Sequence, residues 1–426
     1  MNDALEIFSG DVLVDDGRIV EIGNLSARQA SRTINAGGGY LLPGFVQTHV
    51  HLCQTLFRGY ADDLALMEWL RTRIWPMEAA HTPASLTAAA RLAAAELLLG
   101  GTTTVLTMET VHDTDAVFAA LEPMGLRAVV GKCMMDADSA VPARLLEQTS
   151  ASIDESLAIA ARWHGHANGR LRAAFAPRFA VSCSRELLEA VGALSTERQL
   201  LVHTHASENK EEIALVRSRT GRANVAYLDE VGLASPKLCL AHCVWVDESE
   251  QELIAKRGVK VLHCPGSNVK LSSGIAPITE MRKRGISVSL GADGAACNNQ
   301  LDMFAEMRLA GGLQAIAFGP GSLRAMDLLQ MATREGARAL GLDEQIGSIE
   351  VGKRADLILI ERDRPHLATS PDPVSALVYA ARPSDVRATV VDGELLVDDF
   401  RLVQEDIPAI VAAAFAEATA LAKRAF

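Results

Sequence analysis

Two His-x-His pairs stand out for their chemistry: His49-Val50-His51 and His203-Thr204-His205, each at the end of an apolar run. In a strand, residues i and i+2 face the same side, so such a pair aims two imidazoles into one place. Neutral imidazole ligates zinc and similar ions, and three protein ligands plus a water make a catalytic site. One pair alone is weak, because chance or two satisfied core histidines produce it. Here the placement repeats: His242 ends KLCLAHC and Asp293 ends SVSLGAD. Four runs ending in ligand-type residues point to a metal-dependent hydrolase, in which the ion lowers the pKa of its water toward neutrality. Spacing alone does not choose between His203 and His205.

Something must carry these residues to one mouth. From LLPGFVQTHVHL to about Gly347, short apolar runs alternate with helical stretches such as Ser85–Leu99, Arg185–Leu194 and Glu248–Arg257. That alternation predicts a parallel sheet. About eight strand candidates in roughly 300 residues suit a closed (β/α)8 TIM-type barrel, whose C-terminal strand ends converge on one active-site face. An open doubly wound sheet is the alternative on pattern alone. Residues 11–22, DVLVDDGRIVEI, read as two strands about an Asp-Gly turn. After Gly347 the texture returns to short strands and tight turns, and the tail from about Ile407 is helical. The organisation expected is a small β-sandwich from both chain ends (1–40 and 347–426, the latter with a C-terminal helix) around an inserted α/β barrel at 41–346.

Composition narrows the partners. Lys and Arg number 41 against 53 Asp and Glu, a formal charge of −12, so no broad basic footprint for nucleic acid is available. The N-terminus has no basic segment followed by an apolar core, and the apolar stretch near Ala93–Leu99 is too short to span a bilayer. The seven cysteines form no CxxC pair and their count is odd, which favours a reducing cytoplasm over a disulfide framework. A homo-oligomer is expected. No GK[ST] follows Gly37–Gly39, and no GxSxG elbow is present. Cys264 and Cys297 read as small core fillers.

PGFVQTHVHL, HTHASE, LAHC and GADGAACNN, in that order, resemble the amidohydrolase superfamily, and in particular its aminohydrolase branch. That branch includes 5'-methylthioadenosine/S-adenosylhomocysteine and 5'-deoxyadenosine deaminases, guanine deaminase and the s-triazine hydrolases. The resemblance extends to the closing GSIEVGKRADLILI. It implies a (β/α)8 barrel, a flanking β-sandwich and one divalent ion, Zn2+ first and Fe2+ or Mn2+ as alternatives. It also implies His49, His51, His205 and Asp293 as ligands, because the fifth-strand ligand in this branch lies three residues before a catalytic glutamate, here Glu208. His203 then has a supporting or packing role. Glu208 would shuttle protons, Asp293 would accept the second proton of water, and His242 would hold the hydroxide.

The pocket residues resemble two subgroups. Glu78 in RIWPMEAAHT looks like the glutamate that binds ribose hydroxyls in the methylthioadenosine/S-adenosylhomocysteine deaminases, where a carboxylate accepting two hydroxyl donors is sensible. Arg178 departs from that subgroup, which usually carries histidine after the proline of APRF. Gln54 and the pair Arg178-Phe179 look instead like the purine-holding residues of guanine deaminase. The function expected is hydrolytic deamination of an adenine-containing nucleoside with release of ammonia. Guanine or pterin deamination and s-triazine hydrolysis are the alternatives within the class, and a catalytically silent ligand-binding scaffold is the rival outside it.

Overall fold

The computed structural model describes residues 2, 4–137 and 140–426. The apolar runs form strands at Phe45–His51, Thr102–Met108, Arg127–Met134, Leu171–Pro177, Val202–Ala206, Leu238–His242 and Lys260–His263. Each pairs in parallel with the next. The eighth strand is broken into Val288–Leu290, which pairs with Lys260–His263, and Asp293–Gly294, which pairs with Phe45–His51. The ring of strands therefore closes, as in a TIM-type barrel. At the seam, a Cβ on Gly291 would sit 2.6 Å from the carbonyl oxygen of His49 and 2.7 Å from its backbone nitrogen. Only glycine lets the last strand lie this close to the first.

The strands are buried on both faces, which is why they read as continuous apolar runs. Val46, Leu106, Val129, Ala174, Cys239 and Leu262, one from each of six strands, pack together with Ala337, Leu340, Leu342 and Ile346. That plug makes the barrel a packed core and not a pore. The expected helices form as Pro83–Leu99, Arg185–Arg198 and Glu248–Arg257. Each starts at a side-chain cap, Thr82, Ser184 and Asp247 respectively.

Asp11–Asp15 and Arg18–Gly23 form the expected antiparallel hairpin. Tyr40–Pro43 joins Leu357–Ile360, Val386–Val391, Glu394–Asp398 and Arg401–Leu402 in a five-stranded antiparallel sheet. Tyr40–Pro43 thus crosses the boundary expected between residues 40 and 41. The tail helix, Ile407–Ala425, packs against the barrel helix Pro83–Leu99 and hydrogen-bonds the Ala80 carbonyl through Arg424. Among the described residues, no helix is long and apolar enough to cross a membrane.

Candidate metal-centred active site

The strand ends bring His49, His51, His205, His242 and Asp293 together, all but His205 nearly fully buried. Asp293 Oδ1 lies 3.2 Å from both His49 Nε2 and His51 Nε2, and His205 Nε2 is 3.3 Å from His51 Nε2. His49, His51 and Asp293 form one group of convergent donors, and His49, His205 and His242 form another.

The far nitrogens set the chemistry of the near ones. His51 Nδ1 is 2.8 Å from the Met108 carbonyl, and His205 Nδ1 is 2.7 Å from the Arg178 carbonyl. A carbonyl only accepts, so each Nδ1 carries the proton and each Nε2 presents a lone pair inward. His49 Nδ1 meets His203 Nε2 at 2.6 Å, and His49 Nε2 is buried with no hydrogen-bond partner. Two inward lone pairs, with His49 Nε2 and a carboxylate beside them, are a donor set that fits a zinc-like divalent ion. His203 lies behind His49 and its Nδ1 is unpartnered. Burial drives the His205 and His203 rings well below the usual imidazole range and takes His49 down to about 4. Burial opposes ionisation of Asp293, but His49 and His51 beside it hold that carboxyl well below its ordinary range.

The backbone is strained here. His242 has φ 73°, Asp293 φ 62° and Ser207 φ 55°, left-handed values that are costly for side chains with a Cβ, about 1–3 kcal/mol each. Strain of this kind persists only where the surroundings over-determine it.

Glu208 precedes a helix but does not cap it. The helix Lys210–Thr220 is capped by Asn209 and Glu212, and Glu212 accepts the backbone N–H of Ser207 and Glu208. The Glu208 side chain turns into the site instead. Its Oε2 is 3.5 Å from His242 Nε2, and its Oε1 accepts from the Ser273 hydroxyl at 3.4 Å. Burial pushes its carboxyl up to about 7. His242 Nδ1 is anchored to Asn268 Oδ1 at 2.9 Å, and its Nε2 is buried without a hydrogen-bond partner, 3.9 Å from Asp293 Oδ2. Burial disfavours charge on His242, yet Glu208 and Asp293 raise its pKa above the ordinary value.

The cavity over the cluster is lined by Gln54, Arg178, Phe179, Glu208 and an apolar wall of Leu66, Trp69, Leu70 and Leu271. Glu78 lies behind it, buried rather than on a helix surface. Arg178 grips Glu78 with two nitrogens, at 2.6 and 3.2 Å, and Gln54 Nε2 donates to the same carboxylate at 3.0 Å. The three residues with conflicting sequence signals are thus one hydrogen-bonded unit. Arg178 also belongs to both halves of the site, since its carbonyl orients His205 while its guanidinium holds Glu78.

Sequence reasoning missed Asn268, Ser273, Glu212 and Glu109. Glu109 accepts the backbone N–H of Leu52 and Cys53 and the Thr107 hydroxyl, so it shapes the turn after His51. It ends the run TTTVLTME much as the ligand-type residues end theirs, a signal that could have found it. Asn268, in the short helix Pro265–Lys270, and Ser273, in the loop after it, have no such mark. A separate cluster of His112, Glu147 and Glu155 is already supplied with a cation, because Lys132 Nζ lies 2.7 Å from Glu147 and 3.8 Å from Glu155.

Residues 40–396 match the amidohydrolase family. The chain is an amidohydrolase. This amidohydrolase is 42% identical over 402 residues to the 5'-deoxyadenosine deaminase of Methanothermobacter thermautotrophicus, covering 94% of this chain and 92% of the relative. It is 40% identical to the 5-methylthioadenosine/S-adenosylhomocysteine deaminase of Desulforudis audaxviator, covering 94% and 92%. Among solved structures it resembles a zinc-bound adenosine deaminase from Xanthomonas campestris, with a TM-score of 0.92, 34% identity and coverage of 97% and 94%.

Proposed function

We propose that this amidohydrolase deaminates an adenine-containing nucleoside of the 5'-deoxyadenosine, methylthioadenosine or S-adenosylhomocysteine type, releasing ammonia. The observation that carries the chemistry is Glu208. It is a buried carboxyl near neutrality, 3.5 Å from His242 and facing the inward imidazole cluster. The substrate class is supported by relatives named as such deaminases at 37–42% identity over nearly the whole chain.

His49, His51, His205 and Asp293 would hold the ion, most simply Zn2+. When bound, such an ion lowers the pKa of water toward neutrality and so supplies the nucleophile. Glu208, with a carboxyl poised near pH 7, would take a proton from the attacking water and return it to the ring nitrogen beside the amino-bearing carbon. Asp293 takes the second proton and passes it to the departing ammonia. His242, anchored by Asn268, fixes the position of the attacking oxygen. Leu66, Trp69, Leu70 and Leu271 exclude water and supply apolar walls for the purine. Gln54, Glu78, Arg178 and Phe179 bind the rest of the substrate.

Ammonia release from a panel of adenosines, guanine and pterins, using zinc-loaded protein, tests this. Turnover of 5'-deoxyadenosine or methylthioadenosine above the free bases is expected. Silence on every adenosine with turnover of guanine overturns the substrate reading. Failure to bind any divalent ion after loading would leave a silent scaffold. We also infer that the chain ends form one small β-sandwich. Val12, Val14, Ile19 and Ile22 of the hairpin pack against Ile349, Leu357 and Val390 of the other end. Seven free, buried cysteines support a reducing, cytoplasmic setting.

A further inference from the structure

The stretch GADGAACNNQLDMFAEMRLA runs past Asp293 to a buried glutamate that no catalytic step uses. Glu306 sits in the first turn of the helix Met303–Phe318. Its Oε1 accepts from Asn298 Nδ2 at 2.8 Å, and the same amide donates to the Ala292 carbonyl at 2.7 Å, one residue before Asp293. Its Oε2 accepts the backbone N–H of Gly266 at 3.0 Å. Gly266 lies in the short helix Pro265–Lys270, which carries Asn268, the residue that anchors His242. One carboxylate therefore ties together the loop after the seventh strand and the loop after the eighth. A Cβ on Gly266 would lie 2.5 Å from Glu306 Oε1 and 2.7 Å from Asn298 Nδ2, so the loop closes onto the carboxylate with no room for a side chain.

We propose that Glu306 is a positioning residue that sets Asp293 and His242 in register across the two loops. This rests on the assignment of Asp293 as a metal ligand and of His242 as the group that places the attacking oxygen. A carboxylate has two acceptor oxygens for the two donors it meets. A glutamine offers one, and its NH2 would face either Gly266 N–H or Asn298 NH2. Both loops then lose register while the helix and its packing stay. Outer partners of metal ligands of this kind are worth about 10–100-fold in metal affinity or activity.

The test is Glu306→Gln, with Glu335→Gln as control. Glu335 is also a buried barrel glutamate, but it pairs with Ser287 and Arg338 away from the site. Zinc retention is measured by chelator competition, and kcat and KM with 5'-deoxyadenosine. Glu306→Gln is expected to lose zinc affinity and kcat about 10–100-fold with KM within about two-fold, whereas Glu335→Gln changes only the Tm. Gly266→Ala should reproduce the Glu306→Gln pattern by displacing the carboxylate. Equal zinc affinity in Glu306→Gln and wild type, or equal losses in both glutamine variants, overturns the proposal. If wild type fails on every adenosine but Glu306→Gln still loses zinc, the substrate reading fails and the positioning role stands.

Discussion

Arg178→Met is the change that most sharply tests the pocket. Glu78 and Arg178 are 4% and 3% exposed, joined by contacts of 2.6 and 3.2 Å. Burial works against the charge on Arg178, and Glu78 beside it more than offsets this, raising its pKa. Removing the arginine leaves the Glu78 carboxylate buried beside Gln54 alone, a situation that costs about 3–5 kcal/mol. Unfolding entropy near 2.1 cal/mol/K per residue, over 426 residues, is about 0.9 kcal/mol/K, so the Tm falls by about 3–6 °C. Replacing both charges together is far cheaper, because the desolvation penalty of both ions disappears with them. Glu78→Gln/Arg178→Met keeps an acceptor for Gln54 and should recover most of the loss. The assay is urea unfolding of the four proteins of the cycle, with metal content measured on each. A double variant that loses the sum of the two singles, or an Arg178→Met cost below about 1 kcal/mol, refutes the buried, coupled pair. In the double variant the His205 anchor survives, since it is the backbone carbonyl of residue 178. Zinc should therefore remain while KM for the nucleoside rises.

Glu208→Gln should lower kcat by about 10²–10⁴ at unchanged zinc content, and a loss below ten-fold in steady-state assays would remove Glu208 from proton transfer. Stripping the metal should lower stability, since a ligand at 100 times its Kd contributes about 2.7 kcal/mol; calorimetry of apo and zinc-restored protein checks this, and identical Tm values count against a site at His49, His51, His205 and Asp293. Burial takes His81 down to about 3, so the folded state refuses a proton that the unfolded chain accepts below about 6.5. Its contribution is full above pH 6.5 and shrinks as pH falls toward 3, at about 1.4 kcal/mol per pH unit. His81→Gln should flatten the pH–stability curve in that window, and an unchanged slope by urea titration would contradict it.

The cluster of His49, His51, His242 and Asp293 was open to sequence reasoning because each of these marks itself locally, whereas the choice of His205 over His203 came from the family resemblance. His49 and His51 share a strand face by the two-residue period, and apolar runs ending in histidine or aspartate place the rest at strand ends. The barrel was legible for the same reason. Closure was expected from the strand count, but the way it is made was not legible, because the last strand breaks at Gly291 to touch His49 and no local pattern records that approach. Asn268 and Ser273 were invisible because they lie in a short helix and loop after the seventh strand whose sequence has no period.

The pocket shows a different limit. Gln54, Glu78 and Arg178 each carried a signal, and the signals pointed to different subgroups when each residue was weighed as a separate ligand contact. They lie 24 and 100 residues apart in the chain and share one carboxylate. The Arg178 fork changes what Glu78 is. Gripped from the side by a fork of two N–H donors, its carboxylate can offer ribose hydroxyls only the lone pairs that Arg178 and Gln54 leave free. Under the proposed function, specificity then belongs to the unit. A substitution at any one of the three alters the other two, and Arg178→His alone would release Glu78 without supplying the second donor that now fixes its orientation. Adenosine selectivity in Arg178→His should therefore broaden, with KM rising more than kcat falls. A competition assay between 5'-deoxyadenosine and methylthioadenosine reads this directly, and a variant that keeps the wild-type preference between them would show that Glu78 binds the nucleoside independently of Arg178.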